Sequence, residues 1–210
     1  MKEEIILRIK QSIDVKGSII QDDTLLQSIE NAAKAIIKGY QNKGKVLLCG
    51  NGGSAADAQH IAAEFSGRFY FDRKPLYAEA LHTNTSFLTA VANDYSYDDV
   101  YARMIDASGN EGDILMALST SGNSANILKA IESGKNKGMF IIGFTGKSGG
   151  KMKNQCDCLL NVPSSDTPRI QEAHITIAHI ICEFVEKHFL RNKFPYKEGC
   201  PCGAAFNFFV

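Results

Sequence analysis

The chain reads as a three-layer α/β domain, a five-stranded parallel sheet between helices, with a helical extension at its N-terminus. Three observations predict this. Five short apolar runs, Val46–Cys49, Ala78–Leu81, Ile114–Leu118, Met139–Phe144 and Cys158–Val162, alternate with stretches of helical periodicity. Most of these runs do not alternate in polarity, as expected of strands buried on both faces. Two turns rich in glycine and hydroxyls, CGNGGS at Cys49–Ser54 and STSGNS at Ser119–Ser124, each follow such a run and precede a helix.

The elements follow in order. Ile5 to about Ser18 and Leu25 to about Gln41 carry apolar residues at helical spacing; in the second, Leu25, Leu26, Ile29, Ala33, Ile36 and Ile37 form one stripe. Asp22 or Asp23 can cap it, and Gly44 lies just beyond its end. The later helices serve as crossovers between parallel strands. The last, Pro168 to about Leu190, has proline in its first turn and Thr167 or Asp166 as cap. Residues 1–190 are expected to form one domain. The tail Arg191–Val210, with Pro195 and a CPCGAAFNFFV end, reads as an extension outside the core.

Composition narrows the function. With 210 residues and 44% hydrophobic content the chain can bury a sizeable core. Lys and Arg number 23 and so do Asp and Glu, which leaves no global basic field for nucleic acid. No run reaches the roughly 18 apolar residues of a membrane span. The N-terminal MKEEIILRIKQSID mixes charge with apolar residues, unlike a signal peptide, so a cytoplasmic protein is expected. Six cysteines include the pairs Cys156/Cys158 and Cys200/Cys202. Their C-x-C spacing is not that of structural zinc, and reduced thiols are the better reading; Cys49 and Cys182 fall in apolar segments.

Each polar turn is a ready anion site. Glycine lets the backbone approach a ligand, and the helix that follows offers free N–H groups and a positive dipole end. Hydroxyls add donors without charge. Two such turns point to a phosphorylated, polyhydroxylated small molecule. The first launches SAADAQHIAAEFSGR, in which His60 and Glu64 stand at i and i+4 on one face. An imidazole and a carboxylate so placed can share a metal, form an acid/base pair, or make an ordinary surface pair. The C-terminal helix carries Gln171, His174, His179 and His188. Gln171 and His179 lie about 80° apart on the wheel and roughly 12 Å apart along the axis, so their side chains can barely converge. His174 lies about 140° from His179, and His188 falls near the frayed end, facing solvent.

Five stretches carry a resemblance: CGNGGSAADAQHIAAEFSGRF, TAVANDYSYDDVYAR, GDILMALSTSGNSANILKAI, FTGKSGGKM and VPSSDTPRIQEAHITIAHIICEFVE. Together they resemble the phosphoheptose isomerase branch of the sugar isomerase domain family, over about Lys45 to Glu186. The resemblance implies a flavodoxin-like sheet, a homotetramer and active sites at subunit contacts. It implies that Asn51, Gly52, Gly53 and Ser54 line the substrate, that Asn93 and Asp94 make a second contact, and that Ser119, Thr120, Ser121 and Ser124 hold phosphate. It implies zinc on His60, Glu64, Gln171 and His179, of which Glu64 and Gln171 also touch substrate. Glu64 and His179 match the acid/base pair, and Arg68 a further contact.

The implied reaction converts sedoheptulose 7-phosphate to D-glycero-D-manno-heptose 7-phosphate, feeding lipopolysaccharide core or capsule synthesis. The chain departs from the pattern at three places. Pro168 stands where some family enzymes are acidic, Asn84 where relatives often have aspartate, and His82 is less usual at its position. A rival reading is a non-catalytic binding protein of the DnaA-initiator-associating type, which shares the turns but lacks the positions of Glu64 and His179. Arabinose 5-phosphate isomerases resemble the chain less.

Overall fold

Asp22 accepts a hydrogen bond from the Leu25 backbone N–H at 3.0 Å, and this cap starts a helix whose apolar stripe covers the sheet. The structure, a computed structural model, describes residues 1–190; the tail and its Cys200/Cys202 pair lie outside the described residues. Two N-terminal helices come first, α1 (Lys2–Ile20) and α2 (Asp23–Gln41). Then come β1 (Val46–Gly50), α3 (Gly53–Ser66), β2 (Ala78–Ala80), α4 (Thr85–Asp94), a short 3₁₀ turn at Tyr97–Asp99 and α5 (Val100–Ser108). They are followed by β3 (Ile114–Leu118), α6 (Ala125–Asn136), β4 (Phe140–Thr145), a second 3₁₀ turn at Gly150–Asn154, β5 (Cys158–Asn161) and α7 (Thr167–Leu190). The sequence-derived strands and helices are all present, with ends shifted by a few residues.

The five strands are all parallel, in the order β2-β1-β3-β4-β5. Alternate residues of each strand face opposite layers. Val46, Leu48, Ile114, Met116, Ile142 and Phe144 pack with α2, α3 and α7, while Leu47, Cys49, Leu115, Ala117 and Ile141 pack with α4, α5 and α6. Every residue of β1 and β3 is buried, which is why these runs show no alternation. The strand order reverses between β1 and β3. Ligands in open α/β sheets bind beyond the carboxyl ends of the strands at such a switch point, and both polar turns lie there. Among the described residues no helix is long and apolar enough to cross a membrane.

Cys49, Cys158 and Cys182 are buried free thiols, and Cys156 is half-buried. Burial pushes the Cys156 thiol up to about 12 and that of Cys158 to about 11. Cys158 donates to the Ser28 carbonyl at 3.2 Å. Both thiols therefore stay protonated at neutral pH.

Candidate active site

β1 closes on Gly50, where a Cβ would lie 2.4 Å from the Ser54 carbonyl oxygen; only glycine lets the chain turn back so tightly. Gly52 follows with φ +56°, and α3 begins at Gly53. Ser54 is buried in the first turn of that helix. The second turn is built alike. Gly122 has φ +65°, and a Cβ there would lie 2.2 Å from the Gly149 carbonyl oxygen. The Gly150–Asn154 turn props this loop, as Met152 N–H donates to the Gly122 carbonyl at 3.1 Å and Lys151 N–H to Asn123 Oδ1 at 3.0 Å.

Within the second turn the hydroxyls of Ser119 and Ser124 are 3.0 Å apart, and those of Ser119 and Ser121 3.4 Å. Ser124 caps α6 without spending its hydroxyl on the helix backbone. Among the described residues the backbone N–H groups of Ser124, Ala125 and Asn126 have no carbonyl partner. Free N–H groups, clustered hydroxyls and the positive end of the α6 dipole form an anion cradle. Thr120 sits half-buried beside it.

His60, Glu64 and His179 meet. His60 Nε2 lies 2.9 Å from His179 Nε2 and 3.2 Å from Glu64 Oε1, and one ligand atom from each residue falls within 4.8 Å of the others. α3 supplies His60 and Glu64 one turn apart, and α7 runs alongside to supply His179. Two imidazoles and a carboxylate converging on one point are a fitting donor set for a divalent transition-metal ion. Burial chiefly, together with the neighbouring His60 ring, holds His179 below the usual histidine range, while Glu64 opposes the shift. His179 thus favours its neutral, metal-ligating and proton-accepting form. Gln171 lies at the other end of α3 from Glu64. Its amide packs on Gly53, where a Cβ would come within 2.5 Å of Nε2, while His60 and Glu64 lie about two and three turns further along α3.

Asn93 and Asp94 end α4, both exposed, with Asn93 Nδ2 donating to Asp94 Oδ1 at 2.8 Å. They are tied to the first turn through Tyr97, whose hydroxyl donates to Asn51 Oδ1 at 3.1 Å. His82 follows β2 with its ring edge-on to Tyr101 and its Nδ1 unpartnered among the described residues. Asn84 accepts from Phe87 N–H at 3.1 Å and so caps α4, a task aspartate performs equally well.

Sequence reasoning missed several supporting residues. Glu186, 1% exposed, accepts from the backbone N–H groups of Phe69 (3.0 Å), Tyr70 (2.7 Å) and Phe71 (3.2 Å) and pairs with Arg73 at 3.1 Å. Arg73 in turn donates to the carbonyls of Glu64 (2.7 Å) and Phe65 (2.8 Å), and the Phe69 ring lies 5.6 Å from that of His179. His188, expected to face solvent, is half-buried against Phe189 with its Nε2 2.9 Å from Gln41 Nε2. The available signal was a charged residue on an otherwise apolar helix face.

A family model described as SIS domain matches residues 16–146. The phosphoheptose isomerase of Aneurinibacillus thermoaerophilus is 55% identical over 194 residues, 92% of this chain and 98% of that one. That of Clostridium acetobutylicum is 52% identical over 193 residues, covering 92% and 98%. The solved structure of the phosphoheptose isomerase of Neisseria gonorrhoeae superposes with a TM-score of 0.84 at 41% identity, covering 89% of this chain and 98% of the other. The chain belongs to the SIS domain family, in the branch of the phosphoheptose isomerases.

Proposed function

We propose that the chain is an aldose–ketose isomerase that interconverts sedoheptulose 7-phosphate and D-glycero-D-manno-heptose 7-phosphate. The observation that carries this reading is the meeting of His60, Glu64 and His179 on α3 and α7, with α3 itself launched from the first polar turn. A binding module of the DnaA-initiator-associating type has no use for that convergence. In the proposed reaction Ser119, Thr120, Ser121 and Ser124 hold the phosphate, and its binding energy orients the reacting end. Gly52, Gly53, Ser54, Asn93 and Asp94 line the sugar, with Asn51 present there through its backbone.

Glu64 takes a proton from C1 of the ketose, and the 1-hydroxyl proton passes to the carbonyl oxygen at C2. The resulting enediolate takes the C1 proton back from Glu64 at C2 and becomes the aldose, which restores the carboxylate. His179, neutral and partly desolvated, shuttles the proton between the oxygens. Zinc is the proposed ion; His60, Glu64 and His179 would hold it, with Gln171 as the fourth ligand. When bound, it polarises the sugar oxygens as a Lewis acid. Glu64 cannot be a tight ligand and a free base at once, so either its two roles alternate or the ion mainly organises the site.

The proposed assembly is a homotetramer of cytoplasmic chains, in which residues 1–190 form one domain. Ile5, Ile9 and Ile13 on α1 and Ile180 and Phe184 on α7 are exposed, consistent with faces that meet other copies. The deciding experiment incubates the metal-replete protein with sedoheptulose 7-phosphate and follows the aldose. Turnover is expected, with loss in chelator and recovery on adding zinc. Glu64→Gln is expected to lower kcat by more than about 100-fold with unchanged far-UV dichroism, the scale of losing a general base. Absence of product from the metal-replete protein, or an active Glu64→Gln variant, overturns the reading.

A further inference from the structure

The Asn51 side chain, placed in the first turn, is largely committed inside the protein. Its Oδ1 accepts from Asn126 Nδ2 at 2.8 Å and from the Tyr97 hydroxyl at 3.1 Å, and its Nδ2 donates to Asn126 Oδ1 at 2.9 Å. A carboxamide offers two lone pairs and two N–H hydrogens, so one hydrogen of Asn51 remains. Asn126 is 2% exposed and presents its amide edge-to-edge with that of Asn51. The residue before Asn51 is pinned as well, because the buried Tyr101 hydroxyl donates to the Gly50 carbonyl.

The positions of these partners matter. Asn126 is the second residue of α6, the helix that starts at the serine turn. Asn51 leads into Gly52, the cap of α3, which carries His60 and Glu64. Tyr97 stands three residues beyond Asp94. One half-buried amide pair and one hydroxyl therefore join the three segments assigned to phosphate, sugar and proton transfer. An apolar pair would fill the same space without fixing direction, whereas two antiparallel amide bonds hold both loops in a single register.

We propose that Asn126 and Tyr97 are positioning residues for the isomerisation, and that the Asn51 side chain serves this clasp in place of contacting the sugar. Phosphate settled at the start of α6 is thereby set at a fixed offset from the α3 face that bears His60 and Glu64. The proposal rests on the function proposed above.

The test is a double-mutant cycle read on kcat, KM and the inhibition constant of inorganic phosphate, with sedoheptulose 7-phosphate as substrate. Asn51→Ala and Asn126→Ala are each expected to lower kcat about tenfold, from two lost hydrogen bonds and an orphaned partner. The double variant falls no lower than either single one, because both remove the same clasp. Inhibition by inorganic phosphate stays within about twofold, since the hydroxyls and free N–H groups of the serine turn are untouched. Tyr97→Phe removes one hydroxyl from an exposed ring, so it folds even where Asn126→Ala does not. It is expected to cost about threefold in kcat alone and nothing in the Asn51→Ala background.

Multiplying losses in either cycle mean that Asn51 touches the sugar independently, and overturn the proposal. So do single variants with unchanged kcat and lowered thermal stability, which mark a structural role alone. An unsubstituted, metal-replete protein that does not turn over the substrate overturns the functional reading itself, and the proposal with it; turnover with multiplying losses overturns the clasp only.

Discussion

His174 shows at the residue scale how one buried side chain sets a property of the fold. It lies on the sheet-facing side of α7, fully buried, and its Nε2–H donates to the Thr145 carbonyl at 3.1 Å. Among the described residues its Nδ1 has no partner. Burial holds its pKa down to about 4, and the bond to Thr145 opposes the shift only in part. The unfolded chain takes up this proton near the ordinary value of about 6.5, while the folded chain resists until about 4. Between those values the unfolded state binds more protons, so stability falls as pH drops through the window and is full above it. The loss is on the order of 3 kcal/mol. Urea denaturation between pH 7.5 and pH 4 is expected to show it, and His174→Gln, which keeps a donor for Thr145, is expected to flatten that slope. An unchanged slope in the variant assigns the acid sensitivity elsewhere. The sequence did not disclose this role: His174, His179 and His188 share one helix, and only packing against β4 separates a core histidine from a site histidine.

At the scale of elements, the i and i+4 spacing made the shared face of His60 and Glu64 legible, because it is a property of one helix. The arrival of His179 was not legible from spacing, since it depends on α7 lying beside α3. The same packing explains Gln171. Two turns before His179, it meets the start of α3, as the axial rise requires. What locks α3 and α7 in this register is the Glu186–Arg73 network. Glu186 gathers three backbone N–H groups of the segment after α3, and Arg73 seals the last carbonyls of that helix. Glu186→Ala leaves a guanidinium that is 4% exposed without its counter-charge. That variant is expected to lose about 3–5 kcal/mol of unfolding free energy. Glu186→Gln, which keeps an acceptor oxygen, should lose less. Because Phe69 packs beside His179, both variants should also lower kcat. A loss below about 1 kcal/mol for Glu186→Ala would mean that the network is ornamental to the register.

For the whole molecule, five apolar runs and two turns sufficed to foretell a parallel sheet with its polar turns at the strand ends, because strands buried on both faces leave no polar alternation. They did not foretell the strand order, which depends on how helices divide between the two faces. Nor could they say what covers α1. That helix buries only Ile19, yet exposes Ile5 (54%), Ile9 (56%) and Ile13 (61%) at one-turn intervals, with Ile6 and Leu7 beside them. Ile9 and Ile13 also line a groove of about 280 Å³ with Arg8, Ser12, Arg169 and Glu172, at the start of α7. Arg169 donates to the Arg8 carbonyl at 2.6 Å and to Glu172 at 2.6 Å, so the groove has a fixed polar floor under an apolar wall. An exposed isoleucine is neutral to folding but gains about 1.5–3 kcal/mol when covered by another chain. Three along one stripe therefore supply several kcal/mol per copy toward assembly. Charging the stripe with Ile9→Glu and Ile13→Glu leaves the sheet and its core untouched. Sedimentation velocity is expected to show the proposed tetramer giving way to smaller species, with far-UV dichroism preserved. If the active sites lie at subunit contacts, turnover falls in step with the tetramer fraction and returns at high protein concentration. A charged-stripe variant that still sediments as a tetramer would place the contacts on another face, with the exposed α7 pair Ile180 and Phe184 as the next to charge.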